Sequence, residues 1–100
     1  MAIVKDPEEN EKSILHALVD FSDRRVLEVG CGAGRLTWRY ADQAAHVTGI
    51  DPSAEELEKA RLDLPARLAG RVDFIPAAIT DFAHSHTGAK FDLAIFAWSL

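Results

Sequence analysis

The segment Val26-Leu27-Glu28-Val29-Gly30-Cys31-Gly32-Ala33-Gly34-Arg35-Leu36 constrains this chain more than any other. A short apolar run with β-branched residues suits a buried parallel strand. Three glycines at alternate positions follow at once. Glycine accepts positive φ and lets another group come close to the backbone. The residues beyond have helical spacing, and a helix start offers free N–H groups and a partial positive charge. Strand, glycine turn and helix in that order form a ligand cradle at a strand's carboxyl end.

The remaining chain repeats the alternation. Asp6-Pro7-Glu8-Glu9 is a helix opening, with a capping acid, a proline suited to the first position and acids at the positive end. Ile14, Leu15, Leu18 and Val19 share one helical face, which predicts a helix over about 8–20 packed on a sheet. Ser22-Asp23-Arg24-Arg25 is a polar turn, and Val26–Gly30 is the first strand. Residues 33–44 read as a crossover helix with Leu36, Tyr40 and Ala44 along one face. A second strand, 46–50, ends at Asp51-Pro52. Ser53, with Glu56 three residues on, is a capping box for a helix carrying Leu57, Ala60, Arg61 and Leu64, and Pro65 ends it. A third strand covers 71–75, and residues 76–82 form a loop running into a helical turn. Residues 84–90 form a surface loop, and an apolar fourth strand covers 91–97.

Alternating strands and helices imply parallel strands with right-handed crossovers, and apolar strands need cover on both faces. The expected fold is α/β, a Rossmann-like doubly wound parallel sheet that stops after its fourth strand. Ligands of such sheets sit beyond the carboxyl ends of the strands. Gly30–Gly34, Asp51, the 76–82 loop and the 96–98 end all map to that edge.

The length of 100 residues allows one small domain. A net charge of −5 with no strongly basic region argues against a nucleic-acid footprint. The single cysteine, Cys31, permits no internal disulfide and points to a reducing compartment. No signal-peptide pattern and no membrane-length apolar run is present, so the reading is a cytoplasmic protein.

A dinucleotide loop wants Gly-x-Gly-x-x-Gly/Ala. Counting from Gly30 puts Arg35 at the third small position, and counting from Gly32 puts Thr37 there. Neither register fits, which leaves a nicotinamide oxidoreductase a distant third reading. The acidic-x-Gly-x-Gly-x-Gly pattern of Glu28–Gly34 does fit, with Val47-Thr48-Gly49-Ile50-Asp51-Pro52-Ser53 and Phe91-Asp92-Leu93-Ala94-Ile95-Phe96 in order behind it. On these residues the chain resembles the class I S-adenosylmethionine-dependent methyltransferases over about three quarters of its length.

The resemblance implies an S-adenosylmethionine cofactor, with S-adenosylhomocysteine as product, on the backbone of Gly30, Cys31, Gly32 and Gly34. Asp51 stands about 20 positions beyond Gly30, the separation of an acid that accepts from ribose hydroxyls; a helix-capping acid is the plainer reading. Glu28, by resemblance, holds the loop or the cofactor's amino head; alternatively it is a strand carboxylate satisfied by backbone N–H groups. Pro52 offers the adenosine an apolar face, and Phe96 ends the fourth strand beside it. On the adenine side the chain departs from the family. Ala78 occupies the position of the usual adenine-binding aspartate, and Ile79 follows where a backbone N–H meets the ring. Asp81 lies three residues late and reads as a turn or cap aspartate. A missing carboxylate there removes a contact worth about 1 kcal/mol.

Cys31 has no identifiable base and reads as a small loop residue. His84 and His86, with no further ligands nearby in sequence, read as a solvated loop, so no metal is expected. Trp98 lines a pocket or closes the core. No catalytic base can be named. The expectation is one S-adenosylmethionine-binding domain over 1–100, the N-terminal half only, with 1–22 as a leading helix. It would belong to a longer methyltransferase whose acceptor is a small molecule sooner than a nucleic acid. The alternative is a non-catalytic module that self-associates through the exposed edge of the fourth strand.

Overall fold

The computed structural model describes residues 8–86, 88 and 90–97. The elements run α1 (Glu8–Leu18), β1 (Arg25–Val29), β2 (His46–Asp51), α2 (Ala54–Asp63), β3 (Val72–Pro76), α3 (Ile79–Ser85) and β4 (Leu93–Phe96). The strands form one parallel sheet in the order β3-β2-β1-β4. That is the beginning of the doubly wound order, with the chain reversing direction across the sheet between β3 and β4. The opening Asp6-Pro7 cap and Trp98 lie outside the described residues. Among the described residues no helix is long and apolar enough to cross a membrane.

Register aligns the carboxyl ends. Val29 faces Ile50 on one side and Phe96 on the other, and Asp51 faces Pro76. Alternation along the strands then separates two cores. On the first face Val26, Val47, Val72 and Phe74 meet Leu57 and Ala60 of α2, and Phe21, Tyr40, Ala41 and Ala44. Phe21 and Tyr40 stack with centroids 4.4 Å apart. On the second face Leu27 and Ile50 meet Phe82 of α3, with Val29, Ile75 and Phe91 at the margin.

Three expectations need correction. Residues 33–44 are not an α-helix. They turn tightly, with a 3₁₀ turn at Thr37–Arg39 as their only regular piece. Gly34 takes φ +91°, which no α-helix continues through, and Thr37 and Tyr40 are drawn onto Glu28. A 3₁₀ turn eclipses residues three apart, so both hydroxyls reach the same side. Second, Leu15 of α1 and Val19 just beyond its end pack, half-buried, against the core, while Ile14 and Leu18, expected on the same face, are 37% and 70% exposed. Third, α3 takes in His84 and Ser85, expected in a surface loop, and β4 is shorter than expected, with Ala94 and Phe96 exposed. Asp92 falls outside β4, where its carboxylate accepts the Arg25 N–H at 2.9 Å and pins the start of β1.

The sheet also explains one small residue. A side chain at Gly49 would place its Cβ 2.8 Å from Cys31 Sγ and 3.0 Å from Phe74 Cδ1. The glycine lets the cysteine and the phenylalanine close over β2.

Candidate cofactor site

The loop after β1 is braced by its own backbone. The N–H groups of Gly30 and Cys31 both donate to the Ile50 carbonyl, at 2.8 and 3.1 Å, and the Gly34 N–H donates to the Cys31 carbonyl at 3.0 Å. Gly30, Gly32 and Gly34 have φ of +78°, +53° and +91°. Two of them are also sterically required. A Cβ on Gly30 would stand 2.6 Å from the Ala97 carbonyl oxygen, and one on Gly34 would meet the Trp38 indole. Gly32 is different: a Cβ there meets nothing within 4 Å. The space beside its Cα is open, as a loop that receives a ligand requires.

Asp51 ends β2 beside that opening. Its Oδ2 accepts the Gly32 N–H at 3.0 Å, and its Oδ1 accepts the Ser53 N–H at 2.8 Å. The helix cap itself is Ser53, whose hydroxyl accepts the Glu56 N–H at 3.2 Å. An ionised carboxylate has about four acceptor sites, so Asp51 keeps capacity for two hydroxyl donors. Pro52, exposed, follows it. Ala77 N–H donates to the Asp51 carbonyl at 3.1 Å, which brings the β3–α3 loop alongside. Ala78 is the residue before α3, with no side-chain cap, and Ile79 begins the helix, partly exposed. Asp81 lies in the first turn of α3, where an acid suits the positive end, and does not cap it. Phe96 is in register with Val29, so it reaches the same edge from β4, 57% exposed.

Cys31 turns its side chain away from this edge into the core. Burial and the charges of Glu28 and Asp51 push its thiol up to about 12. A thiol held protonated over the whole working range is a poor nucleophile.

Glu28 is fully buried. Its Oε1 accepts the Thr37 hydroxyl at 2.8 Å and the Tyr40 hydroxyl at 2.5 Å. Side-chain hydroxyls, and not the strand's N–H groups, thus satisfy that oxygen. Oε2 has no hydrogen-bond partner. Burial raises the Glu28 carboxyl above its ordinary range, against the lowering effect of the two hydroxyls and Arg35. Burial likewise raises Tyr40, reinforced by the neighbouring Glu28 charge. Thr37 and Tyr40 were not legible as site residues from the sequence. Their only signal is a pair of hydroxyls three apart after an acidic strand residue.

The predicted positions therefore converge. Glu28 lies beneath the loop, the glycines form it, Asp51 and Pro52 flank it, and Ala78, Ile79 and Phe96 border the same edge. Open space at the Cβ position of Gly32 and spare acceptors on Asp51 suit a ligand with a diol.

A family model for the methyltransferase domain matches residues 26–100. The chain belongs to the class I S-adenosylmethionine-dependent methyltransferases. A ubiquinone biosynthesis O-methyltransferase from Aromatoleum aromaticum is 44% identical over 70 residues, which are 70% of this chain and 29% of that protein. A second, from Dechloromonas aromatica, is 36% identical over 74% of this chain and 31% of its own length. The chain thus spans less than a third of the curated relatives it matches. Among solved structures, a methyltransferase from Thiobacillus denitrificans in complex with S-adenosyl-L-homocysteine superposes with TM-score 0.68 at 30% identity. The match covers 90% of this chain and 36% of that one. Magnesium protoporphyrin IX methyltransferase from Synechocystis, with its cofactor bound, shares the fold at TM-score 0.67 and 24% identity, over 89% of this chain and 41% of that one.

Proposed function

We propose that this methyltransferase chain binds S-adenosylmethionine at the carboxyl edge of its sheet and supplies the cofactor side of an O-methyl transfer to a small molecule. The observation that carries the reading is the pairing of Asp51 with Gly32, an acceptor-rich carboxylate held 3.0 Å from the N–H of a glycine whose Cβ position is open space. The bound sulfonium would supply the methyl group and a neutral thioether as leaving group. The chain's own residues position it. Asp51 accepts from the ribose hydroxyls, the glycine backbone lies against the methionine portion, and Pro52 and Ile79 offer apolar surface to the adenine. With Ala78 in place of a carboxylate, backbone and shape carry the adenine contact. Alignment in a dry site is the main demand of such a transfer.

The O-methyl assignment leans on the names of the relatives, and the acidic net charge supports a small acceptor over a nucleic acid. We read residues 1–100 as the cofactor-binding part of a longer domain with 1–22 as its leading helix segment, and place it in the cytoplasm, in keeping with a buried, unpaired Cys31.

Calorimetric titration with S-adenosylhomocysteine tests the site. The wild-type chain binds, and Asp51→Ala weakens binding by at least about tenfold, the loss expected for hydrogen bonds to a charged acceptor. A folded wild type that gives no binding, or binding untouched by Asp51→Ala, overturns it.

A second reading has its own support. Among the described residues β4 pairs with β1 alone, and Phe96 is exposed at its end. An open apolar edge is a template for a second copy. Sedimentation that gives a single monomeric mass across concentration excludes this assembly.

A further inference from the structure

The carboxyl edge of the sheet is uneven in polarity. Asp51, at the end of β2, stands between two loops. Its Oδ2 accepts the Gly32 N–H of the glycine loop at 3.0 Å, and its carbonyl accepts the Ala77 N–H of the β3–α3 loop at 3.1 Å. Neighbouring strands lie about 4.8 Å apart, so a ligand whose diol rests on Asp51 reaches one loop with each of its ends. With the methionine portion along the glycines after β1, the base falls on the β3 side.

That side offers the base no side-chain acceptor at its rim. Pro76, Ala77 and Ala78 run directly into Ile79. Ala78 is the N-cap of α3, with φ −77° and ψ 157°. Asp, Asn and Ser are the favoured residues at such a position, and alanine leaves it without a side-chain oxygen. The Ala78 carbonyl accepts the Phe82 N–H at 2.9 Å. The Asp51 carboxylate is directed at the N–H groups of Gly32 and Ser53, and Asp81 is exposed in the first turn of α3. The exocyclic amine of adenine is a donor, and a rim of alkyl side chains gives it nothing to donate to.

We propose that Ala78 sets the base specificity of this site: the adenosyl group is held by its diol and by the faces of its ring, its exocyclic amine is not read, and cofactors alkylated at that amine bind as well as the unmodified one. This rests on the S-adenosylmethionine reading of the site. The alanine acts twice. It withholds an acceptor from the amine, and it leaves free the space that a carboxylate would fill.

The test compares two ligands by calorimetry: S-adenosylhomocysteine, and its analogue dimethylated at the adenine amine, which has no N–H left to donate. Wild type binds the two within about threefold of each other. Ala78→Asp prefers the unmodified ligand by about tenfold or more, the effect of one hydrogen bond to a charged acceptor. Aspartate is a favoured N-cap, so the variant keeps α3. A wild type that already prefers the unmodified ligand tenfold overturns the proposal, because another group then holds the amine. An Ala78→Asp preference that stays at the wild-type value also overturns it, because the base then lies away from residue 78. The wild-type comparison needs no variant to fold. Wild type that binds neither ligand defeats the cofactor-site reading itself, a result distinct from a preference between the two.

Discussion

Tyr40 and Phe96 lie toward opposite faces of one sheet, the first 1% exposed and the second 57%. The first face is covered by α1, the 37–44 turns and α2, and it buries Phe21, Tyr40, Leu57, Leu68 and Phe74. The second is covered by α3, with Leu27, Ile50 and Phe82 as its buried centre. The difference teaches where each kind of energy sits. Stability is concentrated on the closed face, which also holds the one carboxylate buried among the described residues. The open face contributes the borders of the cofactor edge, Ile79 and Phe96, and leaves apolar surface bare. A doubly wound sheet requires cover on both sides, and here the two sides are filled unequally.

The largest expected effect breaks the closed face. Leu57→Ala removes a fully buried side chain between α2 and the sheet. It should lower the unfolding free energy by about 3 kcal/mol, read from the urea midpoint at unchanged slope. If that face were as loosely packed as the other, the cost would fall below about 1 kcal/mol.

A smaller effect reads the charge buried there. The folded state holds the Glu28 proton more tightly than the unfolded chain does, because its carboxyl is raised above 4.5 by burial. Its contribution to stability is therefore fully present below pH 4.5 and is lost as pH rises through the raised value. Urea midpoints measured against pH should show that fall in the cofactor-free wild type, and Glu28→Gln should flatten it. An unchanged slope in the variant would place the pH dependence elsewhere.

The smallest effect belongs to the open face. Phe96→Ser should change stability by no more than about 0.5 kcal/mol, because the ring is already exposed. A loss above about 2 kcal/mol would mean that Phe96 is buried in solution, against a second copy or another part of the chain.

The same contrast marks what the sequence could reveal. The strands were legible because β1, β2 and β3 are short apolar runs bounded by turns, and α2 because Ser53 caps it. The edge was legible because loops after parallel strands must share it, which brought Gly30, Asp51, Ala78 and Phe96 together. Residues 33–44 were not legible. Their apolar spacing is helical, but two long-range hydrogen bonds to Glu28 and the positive φ of Gly34 outweigh that local pattern. The buried face of α1 was ambiguous for a related reason. Ile14, Leu15, Leu18 and Val19 share one helical face in the sequence, and the core takes only Leu15 and Val19. Glu28 was visible as an acid in a strand, while its partners were hidden in what looked like an ordinary helix face.

The central claim is that a ligand enters over Gly32, between Asp51 and the loop. Amide chemical shifts of the labelled chain, followed as S-adenosylhomocysteine is added, test this most directly. The account predicts saturable shifts at the N–H groups of Gly30, Gly32, Gly34, Asp51 and Ile79, with Arg25 and His46 at the opposite edge unmoved. Shifts centred on that opposite edge, or none in a folded protein, would contradict it.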